Sequence, residues 1–155
     1  MFKPRWFPAA LLVLACGGGS KAAPTAPASS ASGAVQNFMK AVADSNLATM
    51  ANYWGTASGP AAETNQPPDW QKRVAIMQTY LKSDSYRITG DGPGTDLNHR
   101  DLQVELKRAV CTWSVPFVAV KSGQRWLVTQ VDISAAGNPR RPCQEGIKVD
   151  SASKS

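Results

Sequence analysis

Apolar residues change their period once along this chain, near Lys82, and that change decides the class of fold. Before it, Val35, Phe38, Met39 and Val42 fall at i, i+3, i+4 and i+7, the spacing that gathers side chains on one face of a helix. After it, Leu102, Val104 and Leu106 alternate with Gln103, Glu105 and Lys107, the spacing of a strand with one packed and one wet face. Asp44-Ser45-Asn46 offers N-cap residues ahead of Leu47, Met50, Ala51 and Trp54, which predict a shorter second helix. Residues 55–66 read as loop by composition. Pro67-Pro68-Asp69 then suits a helix start, and Trp70, Val74, Met77 and Leu81 mark the stripe of a third helix. Ile76 and Tyr80 widen that stripe, so this helix is expected to be covered on more than one side. Further on, residues 86–89 predict a short strand, 91–95 a turn, and 115–133 a hairpin turning at Ser122-Gly123. Pro116 has no N–H to give a ladder and belongs at a strand start or an edge. Three helices followed by about four antiparallel strands predict an α+β domain over residues 34–144, its helices packed on one face of the sheet.

Composition narrows the partners. With 155 residues, 43% of them hydrophobic and 18% charged, the chain accommodates one globular domain plus accessory segments. Its net charge of +6 is spread out, and only Lys72-Arg73, Lys107-Arg108 and Arg140-Arg141 are adjacent basic pairs. Nucleic-acid binders gather basic charge on one face or stripe, so no nucleic-acid partner is expected. Cys111, Cys143 and His99 lack the paired spacing of zinc ligands, so no metal is expected. No phosphate loop, nucleophile elbow or dinucleotide fingerprint is present, and no cofactor is expected.

The N-terminus addresses the chain. Lys3 and Arg5 precede a mostly apolar run from Trp6 to Ala15, too short for the about twenty apolar residues of a membrane-spanning helix. Its length and charged start suit a secretory leader over residues 1–15. The run closes on Val13-Leu14-Ala15-Cys16, which resembles the lipobox of bacterial lipoproteins, with Val13 where leucine is usual and Leu14 where a small residue is usual. The resemblance implies cleavage before Cys16, a diacylglycerol on its sulfur and a domain held outside the cytoplasm at the cell envelope. Gly17 stands where an aspartate holds some lipoproteins at the inner membrane, which favours the outer one. Residues 17–33 contain only Gly, Ser, Ala, Pro, Thr and one Lys, too little apolar surface to offset the entropy of ordering, and predict a flexible tether reaching about 20 to 25 Å. Residues 145–155 read as a disordered tail. With Cys16 acylated, Cys111 and Cys143 remain in an oxidising compartment, which favours a disulfide between them.

The order of elements, and the stretch from Phe117 to Asp132 with Val118, Val120, Gly123, Trp126, Val128 and Val131 in place, resembles the nuclear-transport-factor-2-like superfamily over roughly residues 34–133. That resemblance implies a curved antiparallel sheet wrapped around a long helix as a cone. Catalytic members resembling ketosteroid isomerase place a Tyr on the first helix and two acids in the cone. Here the first helix offers Phe38, and Glu105 lies opposite the packed row, so that chemistry does not carry over. His99 beside Asp101 has the makings of a general base, and Asp132 of a pocket acid, but each sits where a solvated loop or edge residue is the plainer reading. Four tryptophans remain in the domain, and Phe38, Trp54, Trp70, Met77 and Trp126 are the candidate lining of an apolar pocket, with core packing as the alternative. The expectation is a lipid-anchored envelope protein that binds a partner protein or a small apolar ligand without catalysis. The alternatives are an exported isomerase- or dehydratase-like enzyme and an accessory subunit of an envelope assembly.

Overall fold

The computed structural model describes residues 25–141 and 143. The expected leader, Cys16 with the first part of the tether, and the tail from 145 lie outside the described residues. The expected domain start at residue 34 is corrected: α1 spans Ala31–Ala43, and the chain is already packed before it. Ser30 holds extended backbone and its Oγ accepts the Gly33 N–H at 3.0 Å, which satisfies one of the free donors of the first turn. Ala28, Ala31 and Ala34 are buried, and the Trp126 N–H donates to the Ala28 carbonyl at 2.9 Å. Small side chains that read as tether by composition therefore let the backbone approach β6 closely.

α2 (Leu47–Tyr53) begins at Asn46, whose Oδ1 accepts the Thr49 N–H at 2.9 Å. The stretch expected as loop from 55 to 66 instead holds a small antiparallel ribbon, β1 (Gly55–Thr56) and β2 (Gly59–Pro60), and the single turn α3 (Ala61–Thr64). The ribbon is tight because Gly55 has no side chain: a Cβ there would lie 2.3 Å from the Gly59 carbonyl oxygen. α4 (Trp70–Leu81) buries Val74, Met77 and Leu81 as its stripe predicts. Its expected cover on a second side is partial: Tyr80 packs against the core, while Ile76 is 37% exposed.

Four strands make the main sheet in the order β3-β4-β5-β6, all neighbours antiparallel: β3 (Ser85–Pro93), β4 (His99–Arg108), β5 (Cys111–Ser122) and β6 (Arg125–Val131). The turn expected at 91–95 is partly strand, because Asp91, Gly92 and Pro93 pair with Leu102, Asp101 and Arg100 at the sheet edge, where the last residue has no outer neighbour to serve. Pro116 lies inside β5 opposite Gln103, yet its missing donor falls where the ladder to β6 ends; its carbonyl accepts the Asp132 N–H at 3.0 Å. Register shifts at Ile88/Gly90 and Val118/Ala119 mark bulges, which increase local twist and bend. Gly123 takes φ +60 in the β5–β6 turn.

The architecture is α+β, with α1 laid across the inner face of the sheet. Leu102, Val104 and Leu106 of β4 and Val115 and Phe117 of β5 are buried there, and the Phe38 and Phe117 rings meet edge to face with centroids 6.3 Å apart. A 3-10 turn (Ile133–Ala136) follows β6, and the chain folds back over the end of the sheet. Gly137, at φ +69, lies flat on Trp113, where a Cβ would come within 2.3 Å of the indole nitrogen. Cys143 then meets Cys111 with Cα atoms 6.0 Å apart, within disulfide range, as the cysteine count predicts.

Ion pairs fasten elements from outside. Arg125 Nη2 lies 2.6 Å from Glu63, Arg100 Nη2 2.6 Å from Asp91, and Arg87 Nε 2.7 Å from Glu105. The Arg125 and Arg87 guanidiniums hold Glu63 and Glu105 below the ordinary carboxylate range, and the Ser32 hydroxyl, with Arg100, does the same for Asp91.

Three outcomes follow for stability. Replacing Cys111 and Cys143 together by serine is expected to lower unfolding free energy by up to about 3.5 to 4 kcal/mol, from the loop entropy of a 32-residue separation; an unchanged denaturation midpoint contradicts the pairing. Gly137→Ala combines a left-handed φ with the collision against Trp113, and equilibrium denaturation is expected to show a loss of more than about 1 kcal/mol. Carboxylates with depressed folded-state pKa values contribute stability that is present above their unfolded values and disappears as pH falls, so thermal midpoints are expected to be flat from about pH 7 to 5 and to drop below about pH 4.

Candidate functional site

β4 carries its inward row one step past Leu106, and the next side chain of that parity is Arg108. Its guanidinium stacks on the Trp113 ring at 4.5 Å from the centroid. Nη2 donates to the Tyr80 carbonyl at 3.0 Å and also to the Ala136 carbonyl, while Nε is buried without a hydrogen-bond partner. Tyr80 lies in the last turn of α4, where free carbonyls carry the negative end of the helix dipole and favour a cation. Burial pulls the Arg108 pKa below the ordinary arginine value, but a guanidinium stays charged at neutral pH. One half-buried cation thus ties the end of α4, the end of β4 and the 3-10 turn together.

Held in this way, residues 138–140 run beside the open face of α4 and enclose a groove of about 470 Å3. Lys72, Ala75, Ile76, Thr79 and Tyr80 form one wall, and Asn138, Pro139 and Arg140 the other. Thr79 donates its hydroxyl to the Ala75 carbonyl at 3.0 Å, and Asn138 Oδ1 accepts the Arg140 N–H at 2.9 Å. What remains for a ligand is an apolar floor of Ala75, Ile76, Tyr80 and Pro139 under donors from Lys72, Arg140 and the Asn138 amide. Among the described residues, Lys72, Arg73, Arg140 and Arg141 are exposed and in no ion pair, as are Lys82, Lys107 and Lys121 away from the groove, whereas Lys40, Arg87, Arg100 and Arg125 each hold a carboxylate.

A second groove, of about 300 Å3, lies where the chain enters the domain, between residues 25–28, the end of α2, Glu63 and Arg125-Trp126-Leu127. Its polar groups satisfy one another. Tyr53 donates its hydroxyl to the Ala26 carbonyl at 2.8 Å, and Arg125 grips Glu63 through both nitrogens at 3.0 and 2.6 Å. Burial pushes the Tyr53 phenol pKa up.

The five aromatic and thioether residues expected to line a pocket gather in or against one packed core, the alternative the sequence left open. Phe38, Trp54 and Met77 belong to the packed core. Trp70 packs against its edge, with the indole N–H 3.4 Å from Asn65 Oδ1, and Trp126 alone lines one of the two grooves. His99 opens β4 with Nδ1 2.8 Å from Asp96, not Asp101, and its hydrogen bond holds Asp96 below the usual carboxylate range. Asp132 caps the 3-10 turn through the Ser134 N–H at 3.1 Å. Glu105 points outward to Arg87. No group of three His, Cys, Asp or Glu able to hold a metal ion occurs among the described residues. Reading the sequence missed the Arg108–Trp113 stack and the Lys72–Arg140 groove, although Lys72-Arg73, Lys107-Arg108 and Arg140-Arg141 stood out as the only basic pairs. One member of each of two pairs, Lys72 and Arg140, lines the groove, and Arg108 of the third supplies the clamp beside it.

No helix of the described residues is long and apolar enough to cross a membrane. No protein-family model matches the chain, and no curated protein does. Among solved structures, the chain is similar to an NTF-2-like protein of unknown function from Shewanella oneidensis MR-1, with 13% identity over 63% of this chain and 90% of that one and a TM-score of 0.41.

Proposed function

We propose that this chain is a lipid-anchored protein of the bacterial cell envelope whose domain, of the nuclear-transport-factor-2-like type, binds a partner protein at its surface without catalysis. The observation that carries the binding reading is the interior. Among the described residues the buried set is apolar apart from Ser122 and the Tyr53 phenol, whose hydroxyl is tied to the Ala26 carbonyl, and every Asp, Glu and His lies at least partly in water. General acid–base catalysis needs an acid or base whose pKa is displaced by burial and positioned against a second polar group. The packed face of this sheet offers carbon in place of both. An isomerase or dehydratase of this architecture would work inside the cone, where Phe38 and Phe117 are in contact.

The anchor rests on the sequence: a charged start, an apolar run too short to span a bilayer, and Cys16 at its end. A partner protein is favoured over a small apolar ligand because the groove along α4 is lined by two segments only, one face of α4 and residues 138–140, whereas small-ligand pockets enclose most of their ligand's surface. A protein laid over the groove covers it from above with its own surface. Either an individual partner or a larger envelope assembly meets that requirement.

Two experiments test the two halves. Intact-mass analysis of the mature chain is expected to show a lipid-modified residue at position 16, and Cys16→Ser is expected to move the protein from the membrane to the soluble fraction. An unmodified Cys16, or a wild-type chain that is already soluble, contradicts the anchor. For the domain, Glu105→Gln, His99→Ala and Asp132→Asn are each expected to rescue a deletion strain fully. Loss of rescue by one of them, with the variant folded and in the membrane, contradicts binding without catalysis.

A further inference from the structure

We infer that the groove between α4 and residues 138–140 is the docking site for an acidic segment of a partner protein, one that presents an apolar side chain between carboxylates. The inference rests on the binding reading above and names the chemistry of the partner.

Three observations select this occupant. Charge is the first. Among the exposed cations in no ion pair, Lys72 and Arg140 line the groove from its two walls and Arg73 and Arg141 follow them in the chain, whereas Lys82, Lys107 and Lys121 line neither groove. Asp69, at the start of α4, forms no ion pair with them. Every free polar group named on the rim is a donor, so the complementary ligand brings acceptors, and carboxylates make the stronger, charge-assisted bonds.

Shape is the second. Scattered exposed apolar residues are ordinary on a protein surface. Ile76 is different from Leu97 or Val110 in sitting beside Ala75, Tyr80 and Pro139 in one concavity. From Lys72 to Tyr80 the helix advances about 12 Å at 1.5 Å per residue. An extended chain covers that in roughly four residues, enough for acid, two apolar positions and acid. Rigidity is the third. The wall formed by 138–140 lies between Gly137, seated on Trp113, and Cys143, paired with Cys111, and Arg108 holds Ala136 just upstream. A wall fixed before binding does not have to be ordered by the partner.

The test uses the full-length oxidised chain and a fluorescein-labelled, amidated probe peptide of sequence Asp-Glu-Leu-Phe-Asp-Glu, read by anisotropy and by amide chemical shifts. The expected result is saturable binding in about the sub-millimolar range, weakened by salt, with shifts centred on Ile76, Tyr80 and Arg140. Lys72→Glu with Arg140→Glu is expected to weaken it at least about tenfold, taking roughly fivefold for each exposed charge pair. Ile76→Asp is expected to abolish it, both variants keeping the wild-type thermal midpoint, and Lys72→Arg, which keeps the charge, is expected to retain near wild-type affinity. A control peptide with the acids replaced by Asn and Gln should bind at least tenfold more weakly.

The inference is overturned if the acidic peptide does not bind, if it binds the charge-reversed protein equally well, or if the shifts map to the entry groove around Trp126. Tighter binding of octanoate than of the peptide assigns the groove to a small amphipathic carboxylate, which also overturns it. A chain truncated after Cys143 that binds the peptide far better than the full chain assigns it to the chain's own tail, and a dimer lost on Ile76→Asp assigns it to a second copy; either result overturns it. Full rescue by the Glu105, His99 and Asp132 variants, together with failure of the peptide, leaves binding without catalysis standing and removes the groove alone.

Discussion

The side-chain parity of β4 is the constraint from which the rest of the molecule follows. Because successive residues in a strand face opposite ways, the row Leu102, Val104, Leu106 can be buried only if Gln103, Glu105 and Lys107 are turned to water, and this is the arrangement observed. β5 answers the row with Phe117 and Val115 in register, and α1 closes it with Phe38. A slip of one residue would exchange the two faces and bury Glu105 without its partner Arg87. The cost of an unpaired buried charge therefore guards the register, and the same rule keeps the domain's acids on the outside.

Arg108 shows how that parity reaches beyond the core. It is the residue after Lys107, so the alternation that buries Leu106 also turns Arg108 inward, at the end of the sheet where the apolar contacts run out. A charged side chain directed there needs acceptors, and it finds them in the carbonyls of Tyr80 and Ala136, with the Trp113 face beneath it. This accounts for the path of the C-terminal residues: Gly137 passes over Trp113 because it has no Cβ, residues 138–140 run along α4, and Cys143 returns to Cys111. The groove is a consequence of satisfying one half-buried guanidinium.

What the sequence made legible is what depends on local period. The stripes of α1 and α4, the alternation of β4, the β5–β6 turn at Gly123 and the pairing of Cys111 with Cys143 all stand where the residues pointed. The misreadings share a cause as well. Ala28 and Ala31 look the same in a solvated tether as against a strand, since alanine carries no pattern that distinguishes the two; only the nearness of Trp126, a hundred residues away, decides. Pro93 reads as a turn, yet the last residue of an edge strand tolerates it. Ile76 belongs to a wide apolar stripe, but how far neighbouring elements extend over a helix is a property of the whole fold, and here they stop short. The same limit hid the candidate site, whose walls come from positions 72–80 and 138–140, far apart in sequence, with Arg108 bonding the Tyr80 and Ala136 carbonyls beside them.

The proposed surface binding predicts a response at the groove. The direct measurement is amide hydrogen exchange on the full chain in membranes of the cells that make it, compared with the same chain purified in detergent. Binding outside a filled core predicts slowed exchange along residues 72–81 and 138–141 in the membrane, with β4 and the Phe117 region of β5 unchanged. Altered protection confined to β4 and β5, with none at the groove, would place a ligand inside the sheet and contradict the proposal.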